Sequence, residues 1–250
     1  MTLALVPLFF LVAVAYAMAG FGGGSSYIAL LSLFEAPYEA IPPVALLCNI
    51  IVVAGGAYHF TRAGHLYWRL FLPFAAASTP AAFLTGRIVL DKTQFMWLLA
   101  VSLTLAGIHM LITPKALGIS ANQLKSSRMW GLGLPLGALL GALSGLVGIG
   151  GGIFLSPLLA ELRWGTSKQI AATASWFILV NSLSGLAGQL TKGYDAGLLS
   201  SYIWLLPAVL VGGQVGSILG ARKLSYAGVR VATALLVMVA AGNLFRKLLF

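Results

Sequence analysis

Charge is what this chain of 250 residues has least of. Asp, Glu, Lys and Arg make up 8% of it, where soluble domains run near a quarter, and only five residues are acidic. Those five, Glu35, Glu39, Asp91, Glu161 and Asp195, all fall in or beside loops. No carboxylate stands inside an apolar run, so there is no carboxylate pair for acid–base catalysis and no conventional intramembrane site for a cation or proton. HExxH, zinc-ligand spacing and a Ser-His-Asp set are equally missing, so neither an enzyme nor a metal or cofactor is expected. One cysteine, Cys48, excludes an intrachain disulfide or a CxxC pair; inside an apolar run it reads as a small buried residue.

What is there is apolar. Sixty per cent of the residues are hydrophobic, with a mean hydropathy of +0.98, and they fall into runs of membrane-spanning length. The chain is expected to be an all-α polytopic membrane protein forming one domain over residues 1–250. The net charge of +10 comes from 15 Lys and Arg placed singly or in pairs at the ends of those runs, where topology and lipid headgroups need them. They form no arm or stripe, so membrane lipid is an expected partner and nucleic acid is not. Leu3 to Ala15, followed by Ala17-Met18-Ala19, imitates a signal peptide. Met1-Thr2 supplies no basic residue, however, and the same pattern recurs inside the chain, so the segment is expected to remain in the mature protein.

The recurrence is centred on two glycine-rich breaks, GFGGGSSY at Gly20 to Tyr27 and GIGGGIFLSP at Gly148 to Pro157. An offset of 128 pairs Gly22, Gly23 and Gly24 with Gly150, Gly151 and Gly152, Gly20 with Gly148, and Pro7-Leu8 with Pro135-Leu136. Small slips bring Asn49 opposite Asn181 (offset 132), and Pro73 and Gly86 opposite Pro207 and Gly220 (offset 134). The chain therefore divides into repeat 1 (1–112), a basic linker (113–129) and repeat 2 (130–250). Each repeat has one glycine-broken run and three intact ones, about eight helical segments in all.

Parity decides how the repeats are related. If each broken run crosses the membrane once, the repeats are parallel and Lys and Arg divide 7 against 8 between the two sides. If each dips in and returns, the halves are inverted. Arg62, Arg69, Lys115, Lys125, Arg128, Arg163, Lys168, Arg222, Lys223 and Arg230 then share one side, and Arg87, Lys92, Lys192, Arg246 and Lys247 the other. That bias puts the linker in the cytoplasm and both termini outside. The expected fold is two inverted repeats, each with a re-entrant-like broken helix. Its legs are unequal, roughly 27 Å and roughly 15 Å.

Irregular backbone at membrane depth is tolerated only where protein buries it or it lines a wet cavity, and paired broken helices in inverted repeats point to a transporter's substrate site. Consecutive glycines can turn their N–H groups to one point, toward which the following helix presents its positive end. The pattern favours an anion bound by Gly22, Gly23, Gly24, Gly150, Gly151 and Gly152, with hydroxyls from Ser25 and Ser26 in the first break only. The competing reading is close helix packing through small residues. Asn49 and Asn181 either brace the breaks or donate to the substrate. Thr173 and Ser175 fit bonds to their own helix, His59 and His65 an interfacial position, and His109 either an apolar setting or a functional one.

The stretches AGFGGGSSYIALL and GLVGIGGGIFLSPLL, each opening one half of the chain, resemble the TauE/SafE family of sulfite exporters and related anion permeases. The second, with Pro157 five residues after Gly152, is the closer match; the first has Ser25-Ser26 and no proline there. The resemblance covers essentially the whole chain. It implies transport of sulfite, sulfoacetate or other organosulfonates across a bacterial inner membrane by a multi-pass protein, with the binding role on the two glycine triplets. Export by alternating access is the expected function. An anion channel or an uptake permease for a sulfonate or other small organic anion is the alternative, and a homodimer is compatible with either.

Overall fold

The computed structural model describes residues 2–18, 21–112, 125–193, 199–220 and 226–249. The linker up to residue 124, Gly20, Asp195, Arg222 and Lys223 lie outside the described residues. Among the described residues the main helices are α1 (Thr2–Met18), α2 (Gly24–Leu33), α3 (Ile41–Arg62), α4 (Trp68–Gly86), α5 (Lys92–Ile112), α6 (Ser126–Val147), α7 (Gly152–Glu161), α8 (Ser167–Leu190), α9 (Leu205–Gly220) and α10 (Tyr226–Leu249). Counting each broken run once, these are the eight segments of the sequence. α3, α5, α6 and α8 are long and apolar enough to cross a membrane; shorter apolar helices accompany them. One run is interrupted: of the stretch read as Leu198 to Gly220, turns at 201–204 precede the continuous helix, which starts at Leu205. The preceding residues form i→i+3 turns, such as Tyr202 N–H to Leu199 O at 3.0 Å. Pro207, which lacks an N–H, sits in the first turn of α9, where that donor has no intrahelical acceptor anyway.

Helix directions separate inverted from parallel repeats. Direct repeats would run α3 and α8 the same way, because they hold equivalent places. Instead Leu46 faces Gly185 and Gly56 faces Ser175, an antiparallel order. α5 and α10 are antiparallel too, with Gly107 against Met238 and the Trp97 ring 5.7 Å from Phe245. α6 runs parallel to α4, as α1 does to α9, their repeat counterparts. The repeats are inverted. The ends of α3 and α5 and the starts of α6 and α8 share one face, here the linker face; the start of α1 and end of α10 share the other, the termini face.

Close approach of α6 to α4 rests on a stripe of small residues. Gly133, Gly137, Gly141 and Gly145 recur every fourth position, so they share one side of α6. A Cβ on Gly141 would lie 2.5 Å from the Ser78 Cα, and one on Gly145 would meet the carbonyl of Ala82. The packing reading of small residues therefore holds for this stripe.

The short helix α2 folds back along α1, and the chain just past α7 returns to the start of α6. Phe9 stacks on Tyr27 with ring centroids 4.6 Å apart, and the Arg128 guanidinium lies 5.9 Å from the Trp164 ring. Both helices end in the same way. Glu35 (φ 56°) and Arg163 (φ 57°) are the non-glycine residues with positive φ among those described, and they sit 128 apart. Each closes its helix with a six-to-one bond, Ala36 N–H to Leu31 O at 2.9 Å and Trp164 N–H to Leu159 O at 2.8 Å. A polar side-chain contact then ties each end to a long helix. Lys247 Nζ lies 2.7 Å from Glu35 Oε1 at the termini face, and His109 Nε2 lies 3.2 Å from Glu161 Oε2 at the linker face. His109 is thus placed at a helix end beside a carboxylate.

Candidate substrate site between the two glycine breaks

Gly23 (φ 89°) and Gly151 (φ 75°) are the N-caps of α2 and α7, both left-handed. Residues with a Cβ seldom adopt that conformation, and glycine allows the chain to reverse at that point. Neither cap residue has a side chain, so neither helix is capped by a side-chain oxygen. The first N–H groups of each helix have no intrahelical acceptor either. Two positive helix ends are therefore left facing the interior. Gly22 to Ser26 and Gly148 to Gly152 are all buried.

Asn49 joins the two breaks. Its Nδ2 donates to Ile149 O at 3.2 Å, inside the second break. Its Oδ1 lies against the first, 2.5 Å from where a Cβ on Gly22 would be and 2.9 Å from that of Gly24. A Cβ on Gly150 would lie 2.7 Å from Asn49 Nδ2 and 3.1 Å from Ser182 Oγ. Gly22, Gly24 and Gly150 thus converge on one amide. The orientation of that amide follows from its partner: a carbonyl oxygen can only be met by the nitrogen.

Asn181 is placed at the same depth. Interpolating between the facing pairs of α3 and α8 sets Asn49 level with Ser182 and Asn181 level with Ile50, so the axis relating the halves passes between them. Asn181 does not reach a break, however. Its Nδ2 donates to Phe177 O of its own helix at 2.8 Å. The Oδ1 atoms of Asn49 and Asn181 and the hydroxyl of Ser182 are buried with no hydrogen-bond partner, a costly arrangement in a dry interior.

Ser25 and Ser26 are turned to Tyr16, whose hydroxyl lies 3.2 Å from Ser25 Oγ and 2.8 Å from Ser26 Oγ. Both serines are buried, and in this conformation their hydroxyls tie α2 to α1. Tyr16 and Ser182 were not singled out in the sequence. A tyrosine nine residues before a serine carries no motif, and Ser182 sits opposite Ile50 in the repeat, so the alignment gives no hint of it. Ser175 Oγ donates to its own helix, to Ala171 O at 2.9 Å, as expected; Thr173 Oγ1 has no partner. A cavity of about 340 Å³ at the linker face is lined by Ala54, Ala57, Tyr58, Thr61, Arg62, Trp176 and Leu179. It contains no residue of either break.

Comparison with known proteins adds to this geometry. The family model described as "Sulfite exporter TauE/SafE" matches residues 5–244. The chain is 35% identical over 232 residues to the "Probable membrane transporter protein y4hK" of Sinorhizobium fredii, covering 92% of this chain and 93% of that one. It is 31% identical over 153 residues to a "Probable membrane transporter protein" of Xylella fastidiosa, 58% of each chain. A similarly named protein of Haemophilus influenzae is 25% identical over 248 residues, 91% of this chain and 92% of the other. No solved structure matches.

Proposed function

Because this chain belongs to the TauE/SafE family of sulfite exporters, we propose that it carries small sulfur-containing anions, such as sulfite or an organosulfonate, out of the cytoplasm across a bacterial inner membrane. The observation that carries the reading is the junction at Asn49, where of two uncapped helix N-termini from opposite halves one break is hydrogen-bonded to the amide and the other packs against it. Helix ends of that sign attract an oxyanion. The triplets Gly22–Gly24 and Gly150–Gly152 would bind it through backbone N–H groups. Asn49, Ser25 and Ser26 complete the proposed set, the serines once Tyr16 releases them; Asn181, whose Nδ2 is engaged by Phe177 O, takes the bracing role rather than a contact to the anion.

The energetics favour export. An interior-negative membrane potential drives an anion outward by roughly 2.3 kcal/mol per charge per 100 mV, with no coupling ion. In this reading the linker face is cytoplasmic, since it gathers the larger share of Lys and Arg, and that charge concentrates anions before entry. The halves rock about the site to open it to each side in turn.

Flux from proteoliposomes tests the proposal. With sulfite or a labelled sulfonate inside and a negative interior potential, a carrier gives saturable efflux that a second sulfur anion competes away. Efflux rising linearly with concentration would make the protein a channel. No efflux of any anion would overturn the reading.

A further inference from the structure

One conformation of an inverted repeat carries information about a second, because equivalent residues of the two halves occupy different surroundings. Two equivalent features differ here. Asn49 donates across the junction to Ile149 O at 3.2 Å, whereas Asn181 donates to its own helix at Phe177 O. The second difference is in the seams between helices. A Cβ on Gly188 of α8 would meet the carbonyl of Phe83 on α4 and lie 3.2 Å from Gly86 Cα. Its counterpart Gly56 on α3 has, among the described residues, Ser175 Oγ of α8 at 3.6 Å and no atom of Leu205–Ser217 of α9 within 4 Å.

The two seams lie toward opposite faces. α8 and α4 are in backbone contact toward the termini face, where Ser184 Oγ also donates to Thr79 O at 2.6 Å. The equivalent seam between α3 and α9 lies toward the linker face and is looser. There a Cβ on Gly55 would be 3.7 Å from Gln214 Nε2, and one on Gly213 would be 3.5 Å from Val52 Cα.

We propose that this conformation is one of two end states, and that Asn49 and Asn181 exchange roles between them. In the other state α9 closes onto α3 at the linker face, and Gly56 takes the backbone contact against Ser217 that Gly188 makes with Phe83. Asn181 leaves Phe177 O and donates to the carbonyl of Phe21, the repeat counterpart of Ile149. Asn49 folds back onto Ala45 of its own helix, the counterpart of Phe177. The breaks, released at one end and held at the other, expose the space between them first to the linker face and then to the termini face. Asn181 is thus a positioning residue for the transport step. This inference rests on reading the breaks as the anion's site.

The test is a cysteine pair, Gly56→Cys with Ser217→Cys, in a Cys48→Ala background, oxidised in native membranes. The inference predicts a disulfide, an efflux at least tenfold lower, and recovery with reductant. A reduced pair that transports normally and never cross-links would overturn it. Should the pair fail to fold, Asn181→Ala decides. It should retain anion-induced thermal stabilisation at concentrations within about twofold of wild type while efflux falls at least tenfold, with partial recovery in Asn181→Gln. Efflux that falls only in step with binding would contradict the exchange. Absence of anion stabilisation in the wild type would overturn the site reading instead, and cross-linking would still report on the seam.

Discussion

Asn49 Nδ2 and the carbonyl of Ile149, 100 positions apart in the chain, are joined by a buried hydrogen bond of 3.2 Å that links α3 of the first half to the glycine break of the second. Asn181, the repeat equivalent, makes a bond within its own helix. The two amides should therefore differ in what they contribute to stability. Asn49→Ala removes the side-chain donor of the buried Ile149 O, at a cost of about 1–3 kcal/mol. Asn181→Ala removes a bond to a carbonyl that already serves the helix, and should cost less than about 1 kcal/mol. Thermal melts of the two purified variants check this, and equal losses would contradict the difference in roles.

The contact between α4 and α6 depends on glycines rather than on apolar side chains. Gly141→Ala should destabilise by about 1–3 kcal/mol, since the added methyl meets the backbone of Ser78. Gly131→Ala, on the same helix with nothing within 4 Å, should melt at or above the wild-type temperature, alanine being the better helix former. Parallel melts in one detergent make the comparison.

Much of this was legible in the sequence, and for a physical reason. A left-handed N-cap at membrane depth needs glycine, so both breaks declared themselves, and their spacing exposed the duplication. Charge placement then separated inverted from parallel repeats, because Lys and Arg obey the membrane rather than the fold. Side-chain pairing was not legible. Ser25 and Ser26 looked like free donors until the folded-back α2 brought them to Tyr16. The asymmetry of Asn49 and Asn181 was hidden for the same reason: identical residues at equivalent positions differ only through the partners the fold brings to them. The left-handed Glu35 and Arg163 carry no compositional signal either, since both are unlikely residues for that conformation.

The tether at the termini face should respond to acid. Lys247 beside Glu35, through a hydrogen bond and its charge, holds the Glu35 carboxyl below the usual carboxylate range. A carboxyl with a lowered folded-state pKa contributes its stabilisation above the unfolded value, about 4.3 for Glu, and loses it as pH falls through the lowered one. Melting temperature measured from pH 7 downward should therefore show a loss below about pH 4.3 that Glu35→Gln lacks. The difference will be small, because the pair is exposed and screened. An identical acid profile in both proteins would mean that the pair does not hold the end of α2.

The central claim is that the two glycine breaks form one anion site. It is tested most directly by thermal stabilisation of the purified protein with sulfite, sulfate, thiosulfate, sulfoacetate and a carboxylate at constant ionic strength, repeated on Gly23→Asn and Gly151→Asn. Asparagine tolerates the left-handed cap better than other residues with a Cβ, and its side chain would crowd the helix N-terminus that the anion needs. The account predicts that one sulfur oxyanion or sulfonate raises the melting temperature of the wild type, and that either substitution abolishes the rise while the protein stays folded. A rise that survives both substitutions, or no rise with any anion, would contradict it.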